Sequence, residues 1–234
     1  MYLDRFDPSR QVFDFTHVPK CGGTSIHHFL NEMMDNNYEH CGPGLNWRDN
    51  IATAWGAGGH QLRGDNPISG NYRKGKEIIR LIVTREPLQR FISFYKYVLE
   101  DGNHYLRKNP DILHMSLLQF AKYCDDIKLD EFIEVQSKFI SGKNGDYQNL
   151  DEVLSNFDSE YDFYAPIDMF DKLQKNLCAY FGKPLVPIQR KNATKPRPID
   201  SDQLRKTAEI VYKNNFIDLQ VHLHCTRKFC LNFL

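Results

Sequence analysis

The sequence predicts an α/β fold, a central parallel sheet flanked by helices in three layers, and three observations carry that reading. The segment Val12 to Leu30, VFDFTHVPKCGGTSIHHFL, runs from an apolar strand through a glycine-bearing loop into a helix. Glu77 to Glu100, EIIRLIVTREPLQRFISFYKYVLE, repeats the strand-then-helix order. Along the rest of the chain strands and helices alternate without an internal repeat or low-complexity tract, and a doubly wound sheet is the natural outcome. With 234 residues, 41% of them hydrophobic, the chain can bury one core, so residues 1–234 are expected to form a single domain.

In the first unit Val12, Phe13 and Phe15 are strand formers and Pro19 ends the strand. Gly22 and Gly23 permit a tight turn, and Thr24 and Ser25 suit a helix start. Backbone N–H groups left free at that start converge on one point. With the helix dipole behind them and the Lys20 ammonium nearby, they suit a phosphate or sulfate group, and the hydroxyls of Thr24 and Ser25 add donors. The unit is therefore P-loop-like without being the usual nucleotide-triphosphate loop, which places its lysine after the glycines and just before the Ser/Thr. For the motif alone, a glycine-rich turn that binds nothing is the alternative.

In the second unit Ile78 to Thr84 is a buried type of strand, and Pro87 opens a helix at its favoured first position. Phe91, Phe94, Tyr95 and Val98 fall at i, i+3, i+4 and i+7, a buried stripe that leaves Ser93 off it. An arginine at the carboxyl end of a parallel strand, here Arg85, and a serine two turns later can grip one phosphate through a planar fork plus a hydroxyl. Ligands of open α/β sheets bind at that end. Arg90 is expected to make a supporting ion pair.

Between the units, Asn31 to Gly75 is expected to build loops and short helices over the mouth of the site. Trp47, Trp55 and Tyr72 offer ring faces to a sugar, while Arg63, Arg73, Lys74 and Lys76 either recognise an acidic glycan or form a solvated basic run. Farther on, Asp168 to Phe181 reads as an amphipathic helix ended by Gly182. In the basic loop Pro184 to Pro198, Lys191, Asn192, Thr194 and Lys195 suit either a lid on a nucleotide or an ordinary solvated loop. Asp200 and Gln203 have the spacing that caps a following helix.

Lys+Arg 30 balances Asp+Glu 30, so neither nucleic acid nor a membrane surface is expected as a partner. The amino terminus, MYLDRFDPSRQVFDF, lacks the apolar core of a signal peptide or anchor, and the chain is expected to be cytoplasmic. Six cysteines, at positions 21, 41, 124, 178, 225 and 230, show no C-x-x-C pairing and are expected to be mostly reduced. His222, His224, Cys225 and Cys230 fit no common metal spacing. Cys21 lies inside the phosphate loop, where a nearby lysine and helix start favour a lowered pKa, and it is expected to be a small loop residue rather than a nucleophile.

Together HVPKCGGTS and TREPLQRFISFY resemble the sulfotransferases that use 3′-phosphoadenosine 5′-phosphosulfate (PAPS), in particular the carbohydrate branch, heparan/chondroitin-type and sulfotransferase family 2-like. The first looks like the loop that holds the 5′-phosphosulfate, the second like the R-x-P-x-x-R-x-x-S segment that holds the 3′-phosphate. GHQLRG around His60, Glu134 to Gly142 with Gln136, YDFYAPIDMFDKL and RKNATKP resemble the family in the same order. The likeness spans Val12 to Leu223, with no counterpart for Asp101 to Leu129 or Asn144 to Glu160.

That resemblance implies PAPS as co-substrate, PAP as product and no required metal. It also implies a donor site of Lys20, Cys21, Gly22, Gly23, Thr24, Ser25, Arg85, Ser93, Asn192, Thr194 and Lys195. Lys20 would balance charge on the leaving oxygen and His60 would take the acceptor's proton, with His17 as second candidate for that base. His27 and His28 read as packing or surface residues of the first helix. The acceptor is expected to be a carbohydrate hydroxyl, or a phenol or small alcohol. Many animal relatives lie in the Golgi lumen, the compartment expected if the chain is a trimmed form. Two rivals stand beside this reading: a Mg-ATP-dependent small-molecule kinase of P-loop type, and a non-catalytic member that binds nucleotide or glycan.

Overall fold

Among the described residues five short strands pair in parallel, in the spatial order β2-β3-β1-β4-β5: β1 Gln11–Thr16, β2 Tyr38–Cys41, β3 Gly56–Gly59, β4 Glu77–Thr84 and β5 Phe163–Pro166. Among the described residues eight α-helices accompany them: α1 Gly23–Met33, α2 Pro87–Glu100, α3 Leu117–Asp126, α4 Val135–Ser141, α5 Leu150–Glu160, α6 Phe170–Phe181, α7 Ser201–Asn214 and α8 Phe216–Leu231. This computed structural model describes residues 5–41, 56–59, 75–142, 145–185 and 200–231.

Alternation along β1 and β4 sends side chains to both faces, and both faces are covered by helices, as parallel sheets require. Phe13, Phe15, Ile79, Leu81 and Val83 form one core with Ile26, Phe29 and Leu30 of α1 and Leu173 and Leu177 of α6. On the other face Ile82 joins Val18 and Cys21, Val135 and Ile140 of α4, Val153 and Phe157 of α5, and Val221 and Cys225 of α8. A third cluster, built on Phe91, Phe94, Val98, Phe120 and Val211, ties α2 to α3 and α7. Fully burying one such aliphatic or aromatic side chain contributes roughly 1.5–3 kcal/mol.

From β1 the chain leaves toward β2, whereas from β4 it leaves toward β5 on the opposite side. The carboxyl ends of these two adjacent strands therefore flank a topological switch point, the crevice where such sheets bind ligands.

Two expectations need correction. Asn31 to Gly75 is not only loops and short helices, because it supplies β2 and β3. The GAGG of β3 carries no hydrophobic pattern, and its pairing is set by neighbours. A Cβ at Gly56 would come within 2.8 Å of Met34 Sδ, and one at Gly58 within 2.7 Å of the Phe15 carbonyl oxygen. The helix read from Asp168 begins at Phe170, after a 3-10 turn over Ile167–Met169, and it does end at a left-handed Gly182. The segment Asp101 to Leu129 holds two 3-10 turns, Tyr105–Lys108 and Pro110–His114, and then α3. Among the described residues no helix is long and apolar enough to cross a membrane.

Candidate active site

The loop after β1 and the loop after β4 meet at the switch point. Lys20 and Gly22 both have positive φ, 66° and 84°. A non-glycine residue held there is strained and requires support from its surroundings. Gly22 is the N-cap of α1, so the helix starts one residue before Thr24, the first of the two residues that suit its start. No side chain caps α1, and no acidic residue sits in its first turn. Other helices are capped: Glu86 accepts from Leu88 N and Gln89 N of α2, Asn149 from Glu152 N of α5, and Asp200 from Gln203 N of α7. An uncapped start beneath a cation has the arrangement of an anion site.

The Lys20 ammonium lies 3.8 Å from the centroid of the Tyr97 ring. Burial, then the neighbouring Arg85 charge, pull its pKa down to about 8. The opposite charge of an anion arriving at the loop would offset both causes. Tyr97 is one helical turn beyond Ser93, so the contact turns the Ser93 side of α2 toward the loop.

Arg85 is fastened at both its backbone and its side chain. Its N–H donates to Gln136 Oε1 at 2.8 Å, Gln136 Nε2 donates to the Arg85 carbonyl at 2.8 Å, and Arg85 Nη1 donates to the Lys20 carbonyl at 3.0 Å. The amide of Gln136 thus continues the backbone pairing of β4 past its last residue. Gln136 is itself anchored by reciprocal capping between α4 and α8. Asp218 accepts from Gln136 N at 2.9 Å and Ser137 N at 2.8 Å, while Glu134 accepts from Ile217 N at 3.0 Å and Asp218 N at 2.8 Å. Burial, then the charge of Asp218, push Glu134 up to about 7.

Lys20 and Arg85 are thus brought together beside Gly22 and Gly23, Ser93 is half-buried one turn before Tyr97 on α2, Ser25 is half-buried and Thr24 is exposed. Cys21 is the exception. Its thiol points away from the loop into the core beside Gln136, with Sγ 3.8 Å from Oε1, and burial pushes its pKa up to about 12 rather than down. Only its backbone remains available to a ligand. Arg90 also departs from expectation, since its guanidinium donates to the carbonyls of Glu131 and Phe132 at 3.2 and 3.1 Å instead of pairing with a carboxylate. His60, Trp47, Trp55, Arg63, Tyr72, Arg73, Lys74 and the loop bearing Lys191, Asn192, Thr194 and Lys195 lie outside the described residues. His28 is exposed, whereas His27 is buried. At the chain's end His222 Nδ1 lies 3.2 Å from Thr84 Oγ1, and His224 pairs with Asp158 at 2.7 Å.

The sequence names Glu134 and Gln136 only within a segment and without a role, and it gives no sign of Tyr97 or Asp218. Nothing local marks them, because each acts on an element distant in sequence. The left-handed φ of 45° at Glu134 is visible only in the folded chain.

Comparison with known proteins adds the following. Residues 6–182 match the profile described as Sulfotransferase family. No curated protein sequence matches the chain. Among solved structures, the crystal structure of mouse sulfotransferase SULT7A1 complexed with PAP aligns with a TM-score of 0.47 at 13% identity, covering 92% of this chain and 67% of that one.

Proposed function

The chain belongs to the sulfotransferase family, and from that premise we propose that it moves the sulfuryl group of PAPS to a hydroxyl of a carbohydrate acceptor. The observation that carries this reading is the bond from Arg85 Nη1 to the Lys20 carbonyl, 3.0 Å long. It joins the phosphate loop to the arginine after β4, so two anion-gripping elements sit as neighbours, as a nucleotide with phosphates at both 3′ and 5′ positions requires. The carbohydrate-branch likeness of the same two segments supports the acceptor class.

The reaction needs three services from the protein. The acceptor oxygen attacks sulfur in line, the bond from sulfur to the oxygen bridging it to the 5′-phosphate breaks, and the acceptor's proton goes to a base. Lys20 balances the charge that gathers on the departing oxygen, and the amides of Gly22 to Ser25 steady the 5′-phosphate. Arg85 and Ser93 hold the 3′-phosphate and fix the line of attack. His60 serves as the base, on the strength of its sequence segment.

Calorimetric titration with PAP, and with ATP with and without Mg²⁺, tests the proposal on wild type and Arg85→Ala. Magnesium-independent binding of PAP, weakened about tenfold to a hundredfold in the variant, is expected from losing a charge-assisted contact. Preference for Mg-ATP would overturn the reading in favour of a kinase.

A further inference from the structure

Gln136 is fully buried at the second position of α4, and its side-chain amide lies where the loops after β1 and β4 meet. Its Oε1 accepts from the Arg85 N–H at 2.8 Å and from the Cys21 thiol, whose Sγ is 3.8 Å away. Burial pushes that thiol's pKa up to about 12, so it keeps a hydrogen to donate. One oxygen thus takes a hydrogen bond from each loop. The Gln136 Nε2 donates to the Arg85 carbonyl at 2.8 Å, which stops the amide from turning over. The two residues it holds are placed beside the anion-gripping groups: Cys21 stands between Lys20 and Gly22, and Arg85 carries the guanidinium that donates to the Lys20 carbonyl.

Strain and buried charge keep this amide in place. Glu134, two residues before it, has a left-handed φ of 45° and ψ of 48°, a conformation that a non-glycine residue keeps only where its surroundings impose it. The surroundings come from α8 and the residue before it. Asn215 Oδ1 accepts from Glu134 N at 3.2 Å, and Asp218 takes the Ser137 hydroxyl at 2.6 Å alongside the N–H groups of Gln136 and Ser137. Satisfying the backbone of Arg85 needs no such apparatus, since a water would serve. What a fixed amide adds is a constant distance between the two loops. Two phosphates on one ribose have a set separation, and a site gains from binding both only when its two subsites are held at that separation. We propose that Gln136 is a specificity-determining positioning residue: it sets the spacing between the 5′-phosphate loop and Arg85, and so selects a 3′,5′-bisphosphate over isomers with another spacing. Its amide is turned to Cys21 and Arg85, and it acts on the nucleotide through them. The assignment rests on the PAPS reading above and deepens it.

Adenosine 2′,5′-bisphosphate provides the test, because it carries the same groups and charge as PAP at a different separation. Calorimetry should compare the two isomers on wild type, Gln136→Met and Gln136→Glu. Wild type should prefer PAP by about a hundredfold. Gln136→Met keeps the volume but neither hydrogen bond to Arg85, and it should cut that preference about tenfold. Gln136→Glu keeps the acceptor for the Arg85 N–H and loses the donor to its carbonyl, so its preference should fall between the two. The charge it adds weighs on both isomers alike and leaves their ratio, so this variant carries the test should Gln136→Met fail to fold. A purely structural role would weaken both isomers by the same factor. An unchanged ratio in the folded variants would therefore overturn the proposal, as would a wild type that binds the two isomers equally. If wild type bound neither isomer, the PAPS reading would fall and this assignment with it, whereas binding with an unchanged ratio would overturn this assignment alone.

Discussion

Raising the pH through 8 should discharge Lys20, because burial and the Arg85 charge have brought its ammonium down from the ordinary 10.5 to about 8. In the free protein about half of these side chains are cationic at pH 8 and about one in ten at pH 9. A 5′-phosphate bound at the loop supplies the missing opposite charge and drives the pKa back up. PAP binding should therefore take up about half a proton at pH 8 and nearly one at pH 9. Calorimetry in two buffers of different ionisation enthalpy measures that number directly, and Lys20→Met should abolish it. In turnover, kcat/KM should fall by about tenfold per pH unit above 8, since the free enzyme must hold the proton. The same shift governs stability. Between about 8 and 10.5 the unfolded chain keeps the Lys20 proton that the folded one releases, so this site's contribution to stability rises with pH across that window and is least favourable below it. Proton uptake that stayed flat from pH 7 to 10, or that persisted in Lys20→Met, would refute the account of Lys20 as a buried cation awaiting an anion.

Two further substitutions probe the scaffold of the site. Gly23→Ala would place a methyl group 1.7–2.2 Å from three atoms of the His17 ring, so thermal unfolding should show a loss of about 1–3 kcal/mol, accompanied by weaker PAP binding. Asp218→Ala would strand the buried N–H groups of Gln136 and Ser137, and a loss of about 3 kcal/mol should lower the Tm by about 6–12 °C. Glu134, no longer facing that charge, should then titrate lower, and PAP affinity should fall because the Gln136 clamp on Arg85 loosens.

The legible parts of this protein were those whose signals are local. Pro87 at the first position of α2, the stripe of Phe91, Phe94 and Val98, and the glycine turn into α1 each follow from the chain's own backbone preferences and period and stand where expected, whereas Tyr95, read as part of the stripe, is only half-buried. The same locality explains the misreadings. Cys21 was judged by the lysine and helix start beside it in sequence, but its thiol faces a core assembled from β4, α4 and α8, where burial dominates. Arg90 was expected to seek a carboxylate, and it instead caps two carbonyls more than forty residues away, at Glu131 and Phe132. Strand β3 was missed because Gly-Ala-Gly-Gly has no pattern of its own and becomes a strand through the flanking β1 and β2.

By itself the sequence determined that two strand-to-helix turns exist, that one bears Lys20 on a glycine loop and the other Arg85 before a helix, and that their motifs resemble one family. Turn geometry, capping and helix periodicity act over a few residues, which is why they are written locally. Only the tertiary structure decided that the two turns abut and that Gln136 splices Arg85 to the α4–α8 pair, with Asp218 reaching Gln136 N from 82 residues away. Those contacts depend on which elements the shared core brings side by side, and side-chain burial and long-range hydrogen bonding have no spacing along the chain by which they could be read beforehand.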